Sequence, residues 1–220
     1  MPILPDLLRP ETAPTAVQFL LLITVLSLAP AIVVLMTSFT RIVVVFALLR
    51  NALATQQVPP NQVLIGLALL LTVFIMEPTA QEVYRAAYVP YVEGRITTEE
   101  AIRAAEKPLK EFMAKSTRQK DLALFLERRG ITAVRSLDEV PFSALLPAYV
   151  LSELTTAFQM GFLLYLPFLL IDLLVASVLM GMGMLMLPPV MISLPLKLLL
   201  FLAVDGWNLV VATLLRSFGG

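Results

Sequence analysis

The sequence predicts an all-α, membrane-type protein with about four long apolar helical segments, paired as hairpins, around a central soluble helical insert. Three observations carry that expectation. Of the 220 residues, 59% are hydrophobic and 15% charged, against roughly 45–50% and 25% in soluble chains. The charges are also concentrated, because residues 77–139 hold 22 of the 32. The apolar runs on either side approach the ~20 residues, about 30 Å of helix, that a bilayer's hydrocarbon layer requires. The chain therefore divides into an N-terminal apolar helical hairpin region (1–76), a soluble insert (77–140) and a C-terminal apolar hairpin region with a methionine-rich loop (141–220).

Val17 to Met36 contains no charge and is the first candidate span. A second apolar run, Ile42 to Leu49, follows Arg41 and ends at RNALATQQVPPN, where Pro59 and Pro60 stop a helix and Asn61 can cap the next. Gln56 and Gln57 belong to that polar loop, an ordinary turn by composition. Val63 to Met76 comes next, closed by Glu77 and Pro78, and is short for a full span. In the insert, Thr97 and Glu100 have capping-box spacing, and Ile102, Ala105, Leu109, Phe112 and Met113 recur at helical intervals, with Pro108 expected to kink the helix. Asp121 to Arg129 forms a second amphipathic stretch, ended by Gly130. Phe162 to Leu187 is the longest apolar run, broken only by Asp172 and closed by Pro188 and Pro189. Val190 to Leu215 completes the chain, with Lys197 and Asp205 inside it.

The N-terminus lacks a basic region followed by an early apolar core, so a secretory signal is not evident. Arg41 and Arg50 flank the turn of the first hairpin. The excess of basic residues in short loops stays cytoplasmic, which places the insert and both termini on the periplasmic side.

Lys+Arg 16 against Asp+Glu 16 leaves no net charge, so nucleic acid is not an expected partner. With no His and no Cys, the chain lacks a histidine base, a thiol nucleophile and the usual zinc ligand sets. Neither a phosphate-binding glycine loop nor a GxSxG elbow occurs. The sequence indicates no enzyme, no cofactor and no metal.

LMGMGMLMLPPVM, residues 179–191, holds Met180, Met182, Met184, Met186 and Met191, half of the ten methionines. Alternate spacing scatters side chains around a helix but aligns them on one side of an extended loop, and Gly181 and Gly183 permit a loop. Three readings stand side by side: an adaptable thioether seal, filler in tight membrane packing, and thioether ligation of Cu(I).

Ionisable groups within apolar segments are costly unless paired, and so mark function or assembly. Asp205, eight residues beyond Lys197, is about 12 Å along one helix and too far to pair with it. Asp172 also fits poorly, because a tight hairpin turning at Pro188 sets Lys197 opposite position 179. Glu153 is then the leading partner for Lys197, with snorkelling of the lysine to the interface as the alternative.

The segments MTSFTRIVVVFALLRNALATQQVPPNQVLIGLALLLTVFIMEP, LLPAYVLSELTTAFQMGF, LLIDLLVASVLMGMGMLMLPPVMISLPLKLLLF and VDGWNLVV resemble, in order, the FliP family of flagellar type III export-gate proteins. KPLKEFM and TRQKDLALF resemble its flagellar type of insert, and the likeness runs from about Ala29 to Ser217. Injectisome proteins share the plan, but the PPNQVLIG turn leans to the flagellar branch.

The resemblance implies a homo-oligomer of several copies that joins FliQ and FliR in a helical cone at the inner membrane. Within the basal body, the FlhA and FlhB proteins and the basal-body ring would be its neighbours, and unfolded flagellar export substrates would pass through it. It implies that segments of transmembrane character, with their charges Arg41, Asp172 and Asp205, are buried against neighbouring subunits. It assigns Met184, Leu185 and Met186, flanked by Met180 and Met182, to a pore gasket, with Leu185 departing from the family's frequent methionine. It further implies an inter-subunit ion pair between Glu153 and Lys197. The competing reading is a small-solute or ion channel, or a secondary transporter, using Asp172, Lys197 and Asp205. A passive scaffold is a further one.

Overall fold

The computed structural model describes residues 34–131, 134, 136–184 and 186–219, together with residues 20, 23, 24, 27, 31 and 32. The chain divides into two units, Met1–Leu35 and Met36–Gly220. In the first, the described residues are helical, and Thr24 and Ser27 donate to the carbonyls of Leu20 and Ile23, one helical turn back, both at 2.8 Å. Most of the candidate span Val17 to Met36 lies outside the described residues.

The second unit is all helical among its described residues, as the composition and periodicity predict. Its central element is α1, Phe39–Ala52. Ile42, Val45, Phe46 and Leu49, spaced three and four apart, are buried on one stripe, and the rest of the helix is at least half-buried except Asn51. α2, Asn61–Val83, returns alongside α1 and buries only the narrow row Leu64, Ala68, Thr72 and Met76.

Glu77 and Pro78 do not end α2. The Gln81 amide donates to the Glu77 carboxylate at 3.2 Å, stitching one turn to the next across the proline. The helix runs on through a π-turn at Tyr84–Tyr88 into α3, Val89–Val92, so the apolar segment Asn61–Val92 is 32 residues long. A 14-residue apolar run understates it because the helix continues past the point where hydropathy falls.

The insert is part of this same unit. Its helices are α4, Thr98–Ser116, and α5, Gln119–Arg128. α4 opens on the expected capping box, in which Thr97 and Glu100 satisfy each other's backbone donors, and continues through the buried Pro108 without interruption. α5 ends at Gly130, whose φ of 73° lets the Ile131 amide reach back to the Leu126 carbonyl at 3.0 Å. Met113, Leu126, Val140, Leu145 and Tyr149 form the core between the insert and the next helix.

That helix, α6, spans Phe142–Gly181 and fuses two stretches that hydropathy separates. At 40 residues it is about 60 Å long, twice a bilayer's apolar thickness. Its N-terminal half is buried by the insert and α1, and α1 approaches closely where Gly161 leaves room for the Leu48 side chain. Its C-terminal half exposes Phe162, Leu166, Leu170, Leu173 and Leu174.

A loop from Met182 to Pro188 leads to α7, Pro189–Ala203, with Pro189 in the first helical turn, where its missing N–H costs nothing. α7 and α8, Gly206–Arg216, meet at a 63° bend. Asp205, at φ 50°, makes the break, and the Phe201 ring packs so closely on Gly206 that a β-carbon there would collide with it. α2–α3 and α6 are each long and apolar enough to cross a membrane, and the bent α7–α8 pair qualifies if counted as one span.

Candidate functional site

Of the features singled out in the sequence, the methionines, Asp172 and Lys197 lie on the α6–α7 hairpin. α6 closes with two return bonds: the Gly183 amide donates to the Met180 carbonyl at 3.0 Å, and the Met184 amide to the Leu179 carbonyl at 2.9 Å. Gly183, at φ 73°, supplies the left-handed residue this closure needs. Met180 therefore sits in the last helical turn and Met182 at its cap, while Met184 and Met186 lie beyond it. Met186 is 98% exposed, Met182 68% and Met184 41%. Leu185, assigned to the gasket by the resemblance, lies outside the described residues. The alternating methionines do not form a single extended row, since the helix takes up the first two. They crowd an open tip instead.

Below the tip, Lys197 is 1% exposed. Its ammonium donates to Asp172 Oδ2 at 2.6 Å and to the Ala52 carbonyl at 3.2 Å, and Ser193, one turn earlier on α7, donates to Asp172 Oδ1 at 2.6 Å. This corrects the exclusion of Asp172. The hairpin turns not at Pro188 but midway between the end of α6 at Gly181 and the start of α7 at Pro189. Lys197 consequently faces residue 173, next to Asp172.

Glu153, 0% exposed, is taken by Arg41. The guanidinium forks onto the carboxylate through Nε at 2.8 Å and through Nη2, and its remaining nitrogen donates to the Ser217 carbonyl at 2.9 Å and hydroxyl at 2.8 Å. The Phe218 ring covers it at 3.8 Å. Within the chain, Glu153 and Lys197 are thus not partners of each other, and the step from excluding Asp172 to choosing Glu153 does not hold. Both buried cations follow one rule. Each neutralises a carboxylate on α6 and caps the C-terminal carbonyls of another helix, Arg41 on α8 and Lys197 on α1, where a cation also meets the negative end of the helix dipole.

Arg41 and Lys197 are therefore buried against their own chain rather than left for a neighbour. Asp205 is not buried within the chain at all. It is exposed at the α7–α8 bend, because the chain breaks there instead of continuing one helix.

Sequence reasoning missed a third polar cluster. Ser152, adjacent to Glu153 and fully buried, donates to Asp121 Oδ2 at 2.6 Å and accepts from the Arg118 amide at 3.0 Å, while Arg118 Nε donates to the same carboxylate oxygen at 2.7 Å. The Ser152 hydrogen bond, helped by Arg118 and opposed by burial, holds the Asp121 carboxyl below its ordinary value. The SEL tripeptide thus carries two consecutive buried polar residues in an apolar helix. That was the readable signal that two separate partners approach there.

A scan against family models matches residues 22–214 to the FliP family. The chain belongs to the FliP family. It is 57% identical to the flagellar biosynthetic protein FliP of Bacillus subtilis over 95% of both chains. It is 53% identical to that of Pectobacterium carotovorum, over 92% of this chain and 79% of the relative, and 47% identical to that of Aquifex aeolicus, over 92% and 86%. The FliP match runs from the described N-terminal helical residues to the last turns of α8. It therefore includes the methionine hairpin, both buried ion pairs and the insert.

Proposed function

We propose that this chain is a pore-forming core component of the flagellar type III export apparatus. In this reading several copies assemble with FliQ and FliR at the bacterial inner membrane, in contact with FlhA, FlhB and the basal-body ring. They form a gate through which unfolded flagellar substrates cross, with the insert on the periplasmic side. The chain performs no bond chemistry and supplies no energy. Its task is to line a conduit and to close it.

The observation that carries this reading is the methionine hairpin. A loop of unbranched, polarisable side chains stands clear of the chain's own core, at the end of two helices clamped together by Asp172, Ser193 and Lys197. A rigid stem bearing an adaptable apolar tip is what a reversible seal needs, since thioether chains fill irregular gaps without a fixed geometry. Membership of the FliP family and the flagellar naming of its relatives support the setting.

The test is the ionic conductance of the purified export-gate complex in a planar bilayer. Met184→Ala with Met186→Ala, or deletion of residues 182–186, raises the resting leak several-fold over wild type. An unchanged leak with assembly intact overturns the seal and favours a scaffold. Flux of small ions or solutes through the isolated chain, abolished by Asp172→Asn, favours a solute transporter instead.

A further inference from the structure

Among the described residues, the methionines fall into two populations by exposure. Met113 is 0% exposed and Met76 is buried, and Met36 and Met160 are half-buried. Met180, Met182, Met184, Met186 and Met191 are all exposed and cluster at one hairpin tip. An independent observation agrees: a β-carbon built on Gly181 or Gly183 would meet nothing within 4 Å, so the backbone of the loop is open as well as its side chains. The chain has no cysteine, so these thioethers are the most accessible oxidisable sulfur among the described residues.

We propose that the hairpin tip is a methionine-oxidation site, through which a peroxide converts the seal into a leaking, reversible state. The inference rests on the seal reading above. In the reaction, a lone pair of the methionine sulfur attacks one oxygen of hydrogen peroxide. The S–O bond forms as the O–O bond breaks, and the departing oxygen leaves as water after taking the proton of the transferred hydroxyl. Sulfur is oxidised by two electrons, the peroxide is reduced, and nothing else is consumed.

The product sulfoxide is polar where the thioether was apolar. A seal made of thioethers excludes water because its surfaces prefer each other. A ring of sulfoxide oxygens, each a strong acceptor set among apolar side chains, draws in water. Wetting of the constriction follows from the unmet hydrogen bonds of the tip, without any change in the helices below. Because sulfoxide is enzymatically reducible, the change is reversible. The clamp at Asp172, Ser193 and Lys197 contains no sulfur, so the stem survives the oxidation that alters the tip.

The assembled complex is treated with hydrogen peroxide, each methionine's gain of one oxygen is followed by peptide mass spectrometry, and conductance is recorded in parallel. Met182, Met184 and Met186 oxidise about tenfold or more faster than Met76 and Met113, and the leak rises with the loop sulfoxide fraction. Methionine sulfoxide reductase reverses it, and a triple variant with Met182→Leu, Met184→Leu and Met186→Leu shows no peroxide-induced rise above its own resting leak. Equal oxidation rates at loop and core overturn the inference. So does a peroxide-induced leak that persists in the triple variant, since the lesion then lies elsewhere. If the loop deletion leaks but loop oxidation does not, the seal stands and the oxidation proposal fails. If neither leaks, the seal reading itself fails.

Discussion

Lys197 and Arg41 each sit in a low-dielectric interior because two kinds of acceptor meet them there, a carboxylate and a helix C-terminal carbonyl. Removing one partner of a buried pair leaves an uncompensated charge, which costs about 3–5 kcal/mol. Asp172→Ala falls toward the lower end, since its carboxylate retains some solvent contact. Glu153→Ala falls toward the upper, since Glu153 has none. Thermal unfolding in detergent reads both losses, and Asp172→Leu combined with Lys197→Met recovers most of the first. An inter-subunit Glu153–Lys197 pair would require both residues to exchange these partners on assembly. Charge reversal decides it: Glu153→Lys with Lys197→Glu shows no mutual rescue if the within-chain pairs persist, and partial rescue if they exchange. That these positions carry buried charge was legible in the sequence. Which carboxylate meets which cation was not, because Arg41 and Glu153 lie 112 residues apart and the Lys197 register depends on where a loop turns.

At the scale of elements, several helix starts and stops written by single residues were read correctly, although Asn61 is the first residue of α2 rather than its cap and its Oδ1 accepts from Arg50 instead. The Thr97 capping box, the Gly130 stop and the break at Pro59 and Pro60 all depend on local chemistry. Boundaries drawn from hydropathy failed at Glu77 and Phe162, because an α-helix persists through polar residues and even proline once its neighbours pack against it. Two predictions belong here. Gly161→Val forces α1 from α6, since even a β-carbon would lie 2.9 Å from Leu48 Cβ. It destabilises by about 1–3 kcal/mol, visible as a lowered Tm, whereas Gly66→Ala, where a β-carbon meets nothing, does not.

The second concerns the docking of α5 on α6 through Asp121. Its carboxyl is held below the ordinary range, first by the Ser152 hydroxyl, so the stabilisation it confers is complete above the unfolded value of about 3.9 and fades as pH falls through the lower folded value. Amide protection factors across Gln119–Arg128, with the intrinsic pH dependence of exchange divided out, fall at pH below about 4 relative to pH 6. The fall shrinks in Asp121→Asn, which has lost the titrating group.

At the scale of the whole molecule, the chain satisfies its buried charges internally yet leaves long apolar faces uncovered. Phe162, Leu166, Leu170 and Leu173 on α6, and Leu69, Leu70, Val73 and Phe74 on α2, point outward from helices that bury only a narrow stripe. The uncovered C-terminal half of α6, residues 162–181, is about 30 Å long, so its faces suit a bilayer or neighbouring protein alike. In the proposed assembly, sister copies and partner helices cover these faces and the methionine tips meet at the closure. The paired charges would there fix the stem of each hairpin while the apolar faces make the contacts. The mass of the purified full-length chain in mild detergent tests this most directly. A defined multiple of the chain mass, lost when Phe162 and Leu166 are changed together to glutamate, is expected if sister copies cover these faces. A stable single copy, with those same faces occupied by detergent, would contradict it.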